Sequence, residues 1–499
     1  MMGGKGRVQR QQNCAIGAVA SVAFAGRLSA EAIITAQTIY WPAPKGSRSS
    51  AQMYTTNTLL PVVSDQVLLE KLESILPKSP FDQAIVISAG RTQVACRLLE
   101  MGVGGVTAWY LDQYRASQAA WALQEQPASE TLAQSEDGSV AGQQDAAISQ
   151  ASSLAPSGVG FDSNSAAVAG DKLAQADTEL ERKPADGLLP QLDIVCSTDL
   201  PPLVASDAEE VSEPHQNTGK PQLLKDGQAV DDGSFSRYDL AILSTSKSDE
   251  VELTRELLQQ CILCLNKGGR LVASVDNPRD SWLHDQLRLL FDKVTRTTTS
   301  AGCVYVARKT RVLKKVKDFR CWFQFKDEFG NLLKAVSRPG VFSHRRLDPG
   351  ARQLMRAFDI GPDDRVLDYG CGAGVLAATA ATQTQKSVMA VDSNARAVQC
   401  TIATAAANGL EHVAAVVNSD GELGLDGEID VALANPPYFG GNSISKHFVD
   451  ASRIALRSGG ALLVVTKKPS LYREYFDGLM EDVEIFPSGK YYVACARRP

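Results

Sequence analysis

Two short stretches in the last third of the chain combine residue types and spacings that could do chemistry: Asp368-x-Gly370-x-Gly372-x-Gly374 and Asn435-Pro436-Pro437-Tyr438. In the first, evenly spaced glycines follow an acid, so the backbone can approach a nucleoside without obstruction from side chains. A lone glycine pattern is weak. Here it gains weight from two further acids, Asp392 and Asp420, that end the next two strand-like segments. A carboxylate at the end of the second strand can accept both ribose hydroxyls. A pyrophosphate would be repelled by Asp368, whereas a sulfonium cation would not, so S-adenosylmethionine fits this turn better than NAD. Cys371 reads as a small filler, not a nucleophile.

In the second stretch, two prolines fix local dihedrals and remove two donors. Their carbonyls are left free to act as acceptors. The Asn435 side-chain oxygen and the Pro436 carbonyl could then take both protons of a planar NH2 group, with Tyr438 stacked on the substrate plane. Held in that way, the nitrogen lone pair can be aimed in line at a methyl carbon about 3 Å away. Positioning and electrostatics would carry such a methyl transfer, with no protein base required.

Both stretches need the carboxyl ends of parallel strands to meet, the place where open α/β sheets bind ligands. The hydrophobic pattern predicts strands over 365–369, 387–391, 412–418, 429–434 and 461–466, alternating with helices over 375–384, 395–408, 444–457 and 470–479. Segments 483–486 and 491–496, joined by Pro487-Ser488-Gly489-Lys490, read as a terminal hairpin. Strict alternation followed by a hairpin implies a mostly parallel sheet covered by helices on both faces.

The same rhythm recurs earlier. Strands are expected over 84–88, 106–111 (capped by Asp112), 193–197, 239–244 and 270–275, helices over 94–100 and 251–265, and a closing hairpin over 294–298 and 303–307. This is a duplication whose first copy lacks the chemistry. Ser88-Ala89-Gly90-Arg91-Thr92 stands where the second copy has its glycine turn, and Ser244-Thr245-Ser246-Lys247 where it has Asn-Pro-Pro-Tyr. Two stretches, Glu125–Gly187 and Ala205–Phe235, are rich in Gln, Ala, Ser, Asp and Gly, and read as disordered insertions. The expected organisation is an unstructured extension over 1–52, a degenerate domain over 53–310, a basic connector over 311–345, and a catalytic domain over 346–499.

With 499 residues, 44% of them apolar and 22% charged, the chain has the composition of a globular protein of two or three domains. Its net charge of −6 gives no global attraction to nucleic acid. Arg308, Lys309, Arg311, Lys314, Lys315, Lys317 and Arg320 nonetheless concentrate positive charge in one stretch. That stretch is either a docking site for a polyanion or a solvated connector. The ten cysteines form no framework, and Cys261 and Cys264 are the sole close pair. Reduced thiols and no metal are the expectation. His215, His284, His344, His412 and His447 show no ligand spacing and read as structural or surface residues. Basic residues ahead of the apolar run from Ala15 to Ala25 superficially resemble a targeting peptide, but the run is too short to span a bilayer. A cytoplasmic protein without a membrane anchor is expected.

The two motifs at this separation resemble class I S-adenosylmethionine-dependent methyltransferases. Within these, the chain is similar to the bacterial ribosomal RNA guanine-N2 methyltransferases of the methyltransferase small-domain superfamily. Pro339-Gly340-Val341-Phe342-Ser343 with Leu347-Asp348 and Gly350, Ser458-Gly459-Gly460, and Gly489-Lys490-Tyr491-Tyr492 carry the resemblance further. It departs where many members have Phe then His after the two prolines and this chain has Tyr438-Phe439-Gly440-Gly441. The resemblance implies two tandem Rossmann-like methyltransferase domains, the first decayed. It implies that Asp368, Gly370, Gly372 and Gly374 line S-adenosylmethionine, that Asp392 holds its ribose, and that Asp420 lies near its adenine. It makes Asn435, Pro436, Pro437 and Tyr438 the target-base clamp and ribosomal RNA or a ribosomal subunit the partner, with a monomer compatible. Two other functions fit the same residues: glutamine N5-methylation of release factors, which offers the same planar NH2, and noncatalytic RNA binding in ribosome assembly.

Overall fold

The computed structural model describes residues 39–42, 62–76, 81–88, 92–124, 191–200, 237–313, 315–437 and 442–499. Among these, two mostly parallel sheets are built on one plan. The first contains β1 (Ile39–Pro42), β2 (Gln83–Ile87), β3 (Gly105–Tyr110), β4 (Gln191–Cys196), β5 (Tyr238–Thr245), β6 (Leu265–Val275), β7 (Val294–Thr298) and β8 (Cys303–Arg308), in the order β1-β4-β3-β2-β5-β6-β8-β7. After a separate hairpin of β9 (Cys321–Lys326) and β10 (Leu332–Ser337), the second contains β11 (Val366–Tyr369), β12 (Val388–Asp392), β13 (Val413–Val417), β14 (Ile429–Ala434), β15 (Leu456–Thr466), β16 (Glu481–Ser488) and β17 (Tyr491–Arg497). Its order is β13-β12-β11-β14-β15-β17-β16. With β1 set aside, the two orders correspond strand for strand. Each sheet closes with an antiparallel hairpin whose last strand pairs with the fifth parallel strand.

The central strands are near-continuous apolar runs because helices cover both faces. Val366, Leu367, Asp368 and Tyr369 are all buried, as are Val431 to Ala434. The helices are α1 (Val63–Ile75), α2 (Gln93–Glu100), α3 (Gln113–Gln124), α4 (Val251–Cys264), α5 (Trp282–Leu290), α6 (Pro349–Met355), α7 (Val375–Ala381), α8 (Ala395–Ala407), α9 (Asn442–Ala455) and α10 (Pro469–Phe476). Alanine-rich α8 is capped by the Asn394 side chain, which accepts from the Arg396 N–H, and stops before Gly409 at φ +68°. α6 begins with Asp348 as its cap and Pro349 in its first turn, a pairing that uses proline's missing donor where no partner is needed.

The structure corrects several expectations. Ile39–Pro42, inside the segment expected to be an unstructured extension, forms an edge strand antiparallel to β4. The segment expected to be a connector contributes to a core. Phe325, Leu333 and Ala335 of the β9–β10 hairpin are buried in one cluster with Leu354, Val366 and Val431. Alternating polar residues along the hairpin, together with its charge, concealed this. Ser458-Gly459-Gly460, expected to separate a helix from a strand, lies within β15, where pairing with β14 shifts register. Lys267-Gly268-Gly269 does the same in β6. Glycine permits the bulge in both cases, with Gly459 at φ +76° and Gly268 at φ +86°. The two expected insertions lie outside the described residues. Among the described residues, no helix is long and apolar enough to cross a membrane.

Candidate active site

β11 lies between β12 and β14 in parallel register, Asp368 opposite Ala390 on one side and Leu433 on the other. The turns after β11, β12, β13 and β14 therefore leave the same edge of the sheet. Gly370, Gly372 and Gly374 follow β11, Asp392 ends β12, Asp420 follows β13, and Asn435 follows β14. This juxtaposition was the central expectation from the sequence. Tyr438 lies outside the described residues.

Gly370, Gly372 and Gly374 all have positive φ, at +86°, +55° and +74°, and they differ in what a side chain would meet. A Cβ at Gly370 would stand 2.6 Å from the Phe448 ring, and one at Gly374 would stand 2.9 Å from the Thr401 backbone. A Cβ at Gly372 would meet nothing within 4 Å among the described residues. Two of the glycines thus serve protein packing, and the third faces open space that a ligand can enter. Gly374 caps α7 in the left-handed conformation.

Asp368 is fully buried. One carboxylate oxygen accepts the Ala377 N–H at 2.9 Å, and the other has no partner among the described residues. Burial pushes its pKa up to about 7, against the lowering effect of that N–H. A buried acceptor without a donor is costly unless a ligand supplies one. Asp392 is different, because both its oxygens are used. Oδ2 accepts the Gly372 N–H at 2.9 Å and Oδ1 accepts the Asn394 N–H at 2.9 Å. Its pKa is pushed up to about 6, chiefly by burial, with the Asp112 charge adding to the effect. Each oxygen keeps a second lone pair for a hydroxyl donor. Asp420 is exposed and takes the Asn418 amide and the Glu422 N–H on Oδ1.

Asn435 donates Nδ2 to Asp348 Oδ2 at 3.0 Å, while its Oδ1 is buried and has no partner among the described residues. The carboxylate can only accept, so it dictates which end of the amide points where. Pro436 is buried beside it. Asp348 is held in turn by the Ala351 N–H at the start of α6. The structure thereby presents a fixed, donor-hungry oxygen at the end of β14, next to the glycine turn of β11.

Several residues at this edge were given no role in the site from sequence. Tyr369 OH meets His447 Nε2 at 2.9 Å, and its ring stands edge-on to Phe448 at 4.9 Å between centroids. Burial and the Asp420 and Asp392 charges raise the Tyr369 pKa. His447 and Phe448 have no spacing signal of their own. They are recruited because α9 packs across the end of β11. The Asp348-Pro349 pair is a recognisable helix start and could have flagged Asp348. Cys371 is buried, bonded by the Thr401 hydroxyl at 3.2 Å, and its thiol pKa lies well above the ordinary value, as befits a filler. Glu250, Glu252 and His344 offer ligand atoms within 4.8 Å of one another. Glu252 is already paired through both oxygens with Arg345, and Glu250 accepts the Gly340 N–H.

At the corresponding edge of the first sheet the described polar residues bond one another. Ser88, at the end of β2, donates to the buried Asp65 carboxylate of α1, which also bonds Ser244 of β5. In the second sheet Asp348, also at a helix start, leaves an acceptor free on Asn435. In the first, Asp65 spends its carboxylate on Ser88 and Ser244. Ala89, Gly90 and Arg91 lie outside the described residues, while Ser246 and Lys247 turn to Asp276.

Residues 333–495 match the family model of the methyltransferase small domain. A ribosomal RNA small subunit methyltransferase C of Pseudomonas entomophila is 40% identical over 158 residues, which are 31% of this chain and 47% of the relative. One of Pseudoalteromonas atlantica is 28% identical over 253 residues, 48% of this chain and 73% of the relative. The chain spans about half the length of the Pseudomonas relatives it matches. A Thermus thermophilus 16S rRNA N2 G1207 methyltransferase, solved with AdoMet and guanosine, superposes with a TM-score of 0.46 at 22% identity, covering 52% of this chain and 73% of that one.

Proposed function

We propose, from the match of residues 333–495 to the methyltransferase small domain, that this chain transfers a methyl group from S-adenosylmethionine to the exocyclic N2 amine of a guanine in ribosomal RNA. The observation that carries the reading is the buried, unpartnered Asn435 Oδ1, fixed by Asp348 beside a glycine turn open at Gly372. The names of the curated relatives support ribosomal RNA as the substrate class.

The donor fits this edge. Asp368 offers an unpartnered buried oxygen, Asp392 offers spare lone pairs suited to ribose hydroxyls, and Gly372 leaves room for a close backbone approach. When bound, the sulfonium supplies an electrophilic methyl group. The chain's residues do the rest by placement. Asn435 Oδ1 and the Pro436 carbonyl accept the two amine protons, which draws the nitrogen lone pair out of conjugation and points it away from both acceptors. Tyr438, which lies outside the described residues, keeps the stacking role expected of it from the sequence. The nitrogen lone pair would form the C–N bond as the S–CH3 bond breaks and its electron pair stays on sulfur, leaving a neutral thioether; the amine, made positive, would be stabilised by these acceptors and then release a proton to solvent. The amino-terminal sheet belongs to a domain that grips RNA or supports the fold.

The test is incubation with labelled S-adenosylmethionine and separated ribosomal subunits, followed by nuclease digestion. Label in N2-methylguanosine is expected. Label in a protein glutamine, or none in any macromolecule, would overturn the reading.

A further inference from the structure

The turn after β12 does not stand alone. Asp392-Ser393-Asn394-Ala395 pairs with Leu111-Asp112-Gln113, the turn after β3 in the first sheet. β12 and β3 occupy corresponding places in their sheets, so the two copies touch through equivalent turns. Asp112 and Asn394 form an isolated antiparallel bridge. The Gln113 N–H donates to the Ser393 carbonyl at 2.7 Å, and the Ala395 N–H to the Leu111 carbonyl at 3.0 Å. Ser393 Oγ donates to Asp112 Oδ2 at 2.6 Å, and Asp112 Oδ1 is held from its own side by the Arg115 N–H at 3.1 Å.

The next residue in the chain extends the grip. Arg396 is fully buried in the first turn of α8. Its Nε donates to the Thr198 carbonyl at 2.9 Å, and its Nη1 to Glu256 Oε2 at 2.7 Å and the Pro339 carbonyl at 2.8 Å. Arg338 bonds the other Glu256 oxygen and Asp199. A buried guanidinium is tolerated only with such partners. Thr198, Asp199 and Glu256 all lie on the first sheet's side. Asn394 Nδ2 closes the arrangement by donating to the Gly340 carbonyl at 2.7 Å. The segment that carries Asp392, and through it the Gly372 N–H, is thus fixed from outside its own sheet.

We propose that the catalytically silent amino-terminal half is a working part of the cofactor site, with Asp112, acting through Ser393, as a positioning residue for the Asp392 carboxylate. The inference rests on the reading of Asp392 as the ribose-binding group. Asp112 is two residues beyond the end of β3, and its carboxylate is divided between its own turn, through the Arg115 N–H, and the Asp392 turn, through Ser393. The charged or titratable groups facing Asp392 are Asp112 from the β3–α3 turn and Asp368, Tyr369 and Cys371 from β11 and its turn.

The test measures S-adenosylmethionine affinity by calorimetry on the full chain at pH 8. Asp392→Asn first checks the underlying reading, and it must weaken binding. Asp112→Ala and Ser393→Ala are each expected to weaken binding about tenfold, the loss expected of a hydrogen bond to a charged group. Asp112→Asn, which can still accept from Ser393, restores most of the affinity. It also moves the acid limb of the binding curve to lower pH, because one negative neighbour of Asp392 is gone. Val86→Ala, a core substitution in β2 remote from the bridge, should lower Tm without changing the affinity. If Asp392→Asn binds like wild type, the ribose reading fails. If Asp392→Asn weakens binding while both Asp112→Ala and Ser393→Ala bind like wild type, the positioning role fails. It also fails if Val86→Ala loses as much affinity as they do.

Discussion

Asn435 gives its side-chain NH2 to the Asp348 carboxylate and keeps its oxygen buried without a donor. One residue therefore orients the other. Asp348→Asn preserves the helix cap, since asparagine caps as well as aspartate. It also removes the group that forces the Asn435 amide into one orientation. The expected outcome is a fall in kcat of roughly a hundredfold with unchanged cofactor affinity and unchanged Tm. Single-turnover kinetics beside calorimetry check it, and an unchanged kcat would dismiss the orienting role. Asn435→Ala should likewise spare cofactor binding and stop turnover.

Asp368 carries a stability signature of its own. Its folded-state pKa, near 7, lies above the unfolded value of 3.8. The folded state therefore holds this proton more tightly, and stability is lost as pH rises from about 4 to about 7. Asp368→Asn does not titrate. Its Tm relative to wild type should climb through that window and level off above it, by about 5 °C in all, while cofactor binding disappears. Thermal melts from pH 4 to pH 8 decide this; a Tm difference independent of pH would contradict it.

Binding of the donor should depend on pH in the opposite sense. Asp368 ionises near 7 and Asp392 near 6, and a cationic donor with ribose hydroxyls favours both carboxylates ionised. Affinity is expected to rise with pH through 6 to 7, and binding at pH 6.5 to release protons. Calorimetry in buffers of different ionisation heat measures the release directly. Zero or negative release would refute the assignment.

The glycine turn separates packing from ligand access. Gly374→Ala should destabilise the fold by about 2 kcal/mol or more, because its Cβ meets the Thr401 backbone at 2.9 Å. The Cβ of Gly372→Ala meets no described residue within 4 Å, so the substitution should cost only about 1 kcal/mol, from its positive φ. It should still lose cofactor affinity, because the methyl occupies the open space. Comparison of Tm with cofactor Kd for the two variants tests the division.

Much of this was legible in the residues. Alternating apolar runs placed β11, β12 and β14 within a residue or two, because strands buried on both faces leave a continuous hydrophobic signature. The equal layout of the two copies was visible for the same reason. The hairpin over 321–337 was missed because its core residues Phe325 and Leu333 are set among charged neighbours, so local composition resembled a solvated segment. The edge strand at Ile39–Pro42 was missed because its pairing partner lies far away along the chain.

The order of residues by itself determined which turns carry acids, glycines and prolines, and that these turns end strands of one parallel sheet. Backbone periodicity and side-chain type are local properties, and they suffice for that. Only the tertiary structure decided which acceptors are left over. Asp368 keeps one free oxygen and Asn435 another, whereas Asp65 spends its carboxylate on Ser88 and Ser244. It also decided that the silent copy holds the Asp392 turn through Asp112. Hydrogen-bond satisfaction is a sum over neighbours brought together from distant parts of the chain, and no local pattern encodes that sum.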